Sequence, residues 1–123
     1  MGLRGARPVA FLATADPDRA AAFYAGVLGL ELIADEPYAL VFDLAGTMLR
    51  VAKVERLEPQ PHTVLGWIVD DVAAALAGLD VQPLRYSGLD QDADGIWTAP
   101  GGARIAWLAD PDGNTLSLTE LQP

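Results

Sequence analysis

Two helix starts of the same design, 55 positions apart, constrain this chain more than any other feature. Asp16-Pro17 and Asp71-Val72 each place an aspartate where a helix needs an N-cap. In the first case proline follows at the first helical position, where its missing N–H costs nothing. The same kind of segment precedes each start: Val9–Thr14 (VAFLAT) and Val64–Val69 (VLGWIV) are short apolar runs without a helical period and read as strands. After the first cap, Phe23, Tyr24, Val27 and Leu28 form a helical stripe, and Gly29 is placed to end it. After the second, Val72–Ala77 reads as a short helix ended by Gly78.

The residues beyond each helix continue the parallel. Leu30–Ala34 reads as a strand. Tyr38–Leu44 and Thr47–Val54 alternate around Ala45-Gly46 as a hairpin. Glu55–Thr63 (ERLEPQPHT) is polar, carries two prolines and reads as a linker. In the second half Val81–Tyr86 reads as a strand and Ser87–Asp94 as an acidic loop. Ile96–Thr98 and Ala103–Leu108 flank a Pro100-Gly101-Gly102 turn, and Thr115–Leu121 closes the sheet after the turn Asp110-Pro111-Asp112-Gly113-Asn114. Each half is therefore a βαβββ unit, about 8–55 and 64–121, and the chain reads as one domain built by internal duplication. A single unit cannot bury its apolar sheet face. The expected fold is α+β: two tandem modules forming a curved mixed sheet, helices outside, with a concave face suited to a small molecule.

Composition removes several function classes. Seventeen acidic against eight basic residues give a net charge of −9, opposite to what phosphate neutralisation or an anionic membrane surface requires, so neither nucleic acid nor membrane is an expected partner. An acidic chain attracts cationic small molecules over long range. With no cysteine there is no disulfide, thiolate site or thiol nucleophile. That composition and the lack of a signal-like or spanning apolar run point to a cytoplasmic protein.

Three stretches carry a resemblance. They are Asp16-Pro17-Asp18-Arg19 leading to Phe23-Tyr24 and Val27-Leu28-Gly29-Leu30, then Trp67-Ile68-Val69-Asp70-Asp71-Val72, and finally Ala106-Trp107-Leu108-Ala109-Asp110-Pro111-Asp112-Gly113-Asn114-Thr115-Leu116. In this order and spacing the chain resembles the vicinal-oxygen-chelate superfamily of glyoxalases, bleomycin-resistance proteins and extradiol dioxygenases. The resemblance implies a homodimer. In metal-dependent members it implies a divalent ion held by His, Gln or Glu on the first strand of each half and a carboxylate near the last strand of each half. Carried onto this sequence, those positions fall at Val9, Arg50, Val64 and Ser117. Valine has no lone pair, arginine is a fixed cation and a lone serine is a poor ligand, so no metal or other cofactor is expected. The one histidine, His62, reads as an exposed linker residue. Asp90, Asp92 and Asp94 alternate like a calcium ladder but lack its glycine and distal glutamate, and read as a solvated loop.

Strand parity then fixes the expected ligand face. Val9 and Phe11 share a side, as do Val64 and Ile68, Met48 and Arg50, and Ser117 with its neighbours two residues away. Trp97, after the acidic loop, joins them as a ligand candidate, while Trp67 and Trp107 are assigned to core packing. Arg50 has two open readings, a ligand-binding cation or a partner for a nearby acid. No catalytic residue is assigned. The expected function is metal-free binding of a small organic molecule, cationic or aromatic. The alternative is a metal-dependent lyase, isomerase or dioxygenase, whose ligands would have to come from another register or a second chain. A scaffold acting through protein partners is a third reading.

Overall fold

A computed structural model describes residues 2–122 as two compact units, one ending at Glu58 and the other beginning at Pro59, inside the expected linker. In the first unit, β1 (Val9–Thr14) leads to α1 (Pro17–Ala21), which widens into a π-helical turn over Ala22–Val27. β2 (Glu31–Asp35), β3 (Ala39–Leu44) and β4 (Thr47–Lys53) follow, in the sheet order β1-β4-β3-β2. β1 runs parallel to β4, and the other pairs are antiparallel. The second unit has β5 (Thr63–Ile68), α2 (Val72–Ala77), β6 (Trp97–Thr98), β7 (Arg104–Ala109) and β8 (Thr115–Glu120). Its order, β5-β8-β7-β6, repeats the first, with β5 parallel to β8.

The capped starts behave as their chemistry dictates. The Asp16 carboxylate accepts from Arg19 N at 3.2 Å and the Asp71 carboxylate from Ala74 N at 3.1 Å. Each satisfies a helix donor that has no intrahelical partner. The N–H of Val72 adds a bond to Glu120 Oε1 at 3.0 Å, tying α2 to the end of β8. In the first unit Leu12, Leu40, Phe42, Leu49 and Val51 are buried on one side of the sheet, and Tyr24, itself fully buried, contacts Phe42 at a ring separation of 5.7 Å. In the second, Ala106, Leu108, Leu116 and Leu118 form the dry side together with Val72 of α2. The last hairpin turns on the buried Asp110 carboxylate, which accepts from Asp112 N, Asn114 N and Asn114 Nδ2.

One expected strand is absent. Residues Val81–Tyr86 form no ladder and are irregular. Pro83 has no N–H to give, and Leu84 N to Trp107 O at 2.7 Å ties the segment to β7. Gln91 takes over the rest: its Oε1 accepts from Tyr86 N, and its Nε2 donates to Leu84 O and Gly95 O. A side chain thus satisfies the backbone groups that a neighbouring strand would have used. The edge place that β2 fills in the first unit falls to the two-residue β6. Trp67 is level with the buried Leu118, on the dry side as parity expects, and is half-buried there because β5 is the outer strand.

Two positions give direct tests of this backbone. The β3–β4 hairpin turns on Ala45 at φ 50° and Gly46 at φ 97°, the left-handed pair that a two-residue turn needs. Alanine there bears the left-handed cost of about 1 kcal/mol, and its side chain is exposed. Ala45→Asn or Ala45→Gly is therefore expected to raise unfolding stability by about 0.5–1 kcal/mol, measured by urea denaturation. Gly66 lies level with Ser117, and a Cβ built on it would stand 2.3 Å from Ser117 Oγ. Gly66→Ala should cost about 1 kcal/mol, and Ser117→Ala introduced with it should recover most of that loss. Strict additivity in this double-mutant cycle would show that the two residues do not share a face.

Candidate functional site

The dry side of each sheet faces its helix, and the other side is the more open one, where Phe11, Met48 and Ile68 are exposed although Val41 and Thr115 are buried. In the first unit the register sets Val9 level with Met48 and Met48 level with Asp43; one step on, Phe11 is level with Arg50 and Arg50 with Val41. Directly opposed residues project to the same side, so Val9, Phe11, Met48 and Arg50 share the open face as parity predicts. Phe11 is 67% exposed, a large apolar ring presented to water. Arg50 is engaged: its Nη2 lies 2.9 Å from Glu36 Oε1, the acidic partner that one of its two readings expects. Both side chains are partly exposed, so the pair holds a geometry more than it adds stability. Beside them lies a hollow of about 160 Å³, lined in part by Arg7, Ile33, Asp43 and Met48. Arg7 reaches across to donate to Gly46 O at 3.0 Å.

The second unit carries more aromatic surface. Gly66, Ser117 and Trp107 are level with one another, and so are Ile68, Thr119, Ile105 and Trp97. A register shift between Thr63 and Leu65 separates Val64 from this alignment, but it is exposed, as Ile68 is at 73%. Trp107 therefore stands on the open face, half-buried, and its expected assignment to the core is corrected. Its neighbours Ala106 and Leu108 are the ones that face α2. The signal was available in the alternation of Ala106, Trp107 and Leu108 against Leu116, Ser117 and Leu118, which puts Trp107 on the side of Ser117.

Trp107 is the middle of a three-ring group. Tyr86 meets it edge-on at 5.4 Å with planes at 87°, and Trp97 lies 6.2 Å away at 33°. Tyr86 comes from the irregular segment that replaced the expected strand, so nothing in strand periodicity pointed to it. Among the described residues, the strand positions on the face these rings share, from Val64 through Ser117 and Thr119 to Trp97, carry hydroxyls and apolar groups but no charge.

These residues do not fit a divalent ion. Val9 and Val64 offer no donor, Arg50 is a cation already paired with Glu36, and Ser117 brings one neutral hydroxyl packed against Gly66. Among the described residues no three or more His, Asp or Glu side chains are grouped to hold a metal. His62 is exposed in the connecting segment. Asp92, which resembled part of a calcium ladder, instead shapes its own loop, where its Oδ1 accepts from Asp94 N and Ile96 N, both at 2.9 Å. Among the described residues no helix is long and apolar enough to cross a membrane.

Comparison with known proteins places this geometry. No curated protein matches the chain in sequence. Several solved structures match in fold. A bleomycin-binding protein solved with bleomycin is 21% identical with a TM-score of 0.71, over 94% of this chain and 98% of that one. Lactoylglutathione lyase from Agrobacterium tumefaciens is 21% identical with a TM-score of 0.69, over 94% and 92%. A glyoxalase/bleomycin resistance protein from Catenulispora acidiphila is 25% identical with a TM-score of 0.68, over 94% and 98%. The family model described as Glyoxalase/Bleomycin resistance protein/Dioxygenase superfamily matches residues 7–118, nearly the whole chain. With its repeated four-stranded sheets and its helices on their dry sides, this chain belongs to the glyoxalase/bleomycin resistance/dioxygenase superfamily.

Proposed function

We propose that this chain is a metal-independent member of its superfamily that binds a small organic molecule on the open sides of its sheets. The observation that carries the reading is the Tyr86–Trp107–Trp97 group on an uncharged face beside the exposed Ile68. Large apolar rings left accessible next to hydroxyls suit a planar ligand, which gains by stacking and loses little by leaving water. The net charge of −9 favours a cationic ligand over an anionic one. The bleomycin-binding neighbour, solved with its ligand, supports small-molecule binding on this fold. In the first unit Phe11 offers a second apolar ring, with Arg50 held beside it by Glu36. A lyase, isomerase or dioxygenase reading would need donors that Val9, Arg50, Val64 and Ser117 lack. We further read the chain as a cytoplasmic homodimer, which the resemblance and the absence of cysteine support.

Titrating tryptophan emission with a phenanthridinium cation tests the proposal. Saturable quenching is expected, weakening as salt rises because the long-range part of the attraction is screened. Trp97→Ala is expected to weaken apparent affinity about tenfold, with Trp107 and Trp67 still reporting, while His62→Ala leaves it unchanged. Quenching that never saturates, or equal affinity in Trp97→Ala, contradicts the reading.

A further inference from the structure

A cavity of about 390 Å³, lined by none of the three rings, opens in the second unit between α2 and the irregular segment that follows it. Its apolar wall is built from two directions. Ala73, Leu76 and Ala77 line it from one stripe of α2, at spacings of three and four residues. Val81 and Pro83 line it from the segment that does not form a strand. The volume sits at the small end of ligand cavities, which suits a molecule of amino-acid size rather than a drug-sized one.

Two opposite charges border this wall, Arg85 and Asp94. The Arg85 guanidinium is held by carbonyls: Nη1 donates to Asp92 O at 2.7 Å and Nη2 to Ala93 O at 2.6 Å. Among the described residues it makes no ion pair. The Asp92 carboxylate is turned elsewhere, to Asp94 N and Ile96 N, with its other oxygen 3.9 Å from Arg104. The Asp94 carboxylate takes no hydrogen bond and no ion pair among the described residues. The loop carrying both charges is held by the three bonds of the Gln91 amide, so the backbone that bears Arg85 and Asp94 is set before any ligand arrives.

We propose that this cavity is a binding site for a small zwitterion with an apolar side chain, of the amino-acid class. Its carboxylate pairs with the remaining donors of Arg85, its ammonium with Asp94, and its side chain lies against Ala73, Leu76, Ala77, Val81 and Pro83. A simple anion would meet Asp94 and a chain of net charge −9; a simple cation would meet Arg85. A zwitterion satisfies both. The site shares no side chain with the three-ring face, so it stands or falls independently of the ligand proposed there.

The test is amide and indole NMR of the full chain, titrated in parallel with L-leucine, with 4-methylpentanoate (the same skeleton without the amine) and with 3-methylbutylamine (without the carboxylate). Shifts are expected in residues 73–77, 81–85 and 93–95. L-leucine should bind about threefold or more tightly than either truncated compound; the factor is modest because both charges are exposed. Asp94→Asn, which removes a charge but no hydrogen bond, should lower leucine affinity to that of 4-methylpentanoate with the unliganded spectrum otherwise unchanged. Arg85 is left intact because it holds the loop. Equal affinity for the three compounds, shifts confined to the Trp97 and Trp107 indoles, or no shifts up to about 50 mM ligand would overturn the proposal.

Discussion

Both units depend on keeping one side of a four-stranded sheet dry. In the first, Leu12, Leu40, Phe42, Leu49 and Val51 are almost completely covered beneath the helical segment that carries Tyr24; in the second, Ala106, Leu108, Leu116 and Leu118 are covered on the side of α2. Each large side chain so buried contributes about 1.5–3 kcal/mol. An N-cap such as Asp16 or Asp71 contributes about 1 kcal/mol, and a partly exposed pair such as Arg50–Glu36 less. The apolar alternation therefore decides the fold, and the polar contacts set where elements begin and end. Because that alternation uses every second residue, the residues between them are left over. The open face can carry rings, hydroxyls or a cation with little loss of stability.

The same division explains what the sequence made legible. Alternation and caps are local, so α2 begins at Val72 and ends at Ala77 as expected, β1 spans Val9–Thr14, and the hairpin turns at Ala45-Gly46. The shared face of Phe11 and Arg50 also followed from parity, because directly opposed residues in a ladder point the same way. What was not legible depends on contacts between residues far apart in character or position. Val81–Tyr86 has strand-like composition, yet Pro83 removes a donor and the Gln91 side chain supplies the missing partners, which no period in the sequence announces. Trp107 reads as core because it is large, apolar and inside a motif, although the alternation of Ala106, Trp107 and Leu108 carries the opposite signal; its register with Ser117 puts it on the open side. Parity gives the face of Arg50 and a nearby acid is one of its two readings, but that the acid is Glu36, 14 positions away in the turn after β2, shows only in the fold.

Failure of one strand has chemical consequences. The segment that leaves the ladder delivers Tyr86 to Trp107 and opens the cavity against α2, so an irregular stretch of six residues supports both the aromatic face and the charged cavity. The residues at the positions where metal-dependent relatives are expected to hold an ion are two valines, a paired arginine and a serine packed on a glycine. A divalent ion needs several convergent oxygen or nitrogen donors, and this set provides one hydroxyl. On the proposed reading, stacking surface takes the place of coordination.

The most direct measurement is a calorimetric titration of the chelator-stripped full chain with Ni²⁺, Zn²⁺, Mn²⁺ and Fe²⁺ in turn. No stoichiometric binding at micromolar concentrations is expected for any of the four. One ion bound per chain, or per pair of chains, with a dissociation constant of about 1 μM or below would contradict it and assign the open face to metal chemistry.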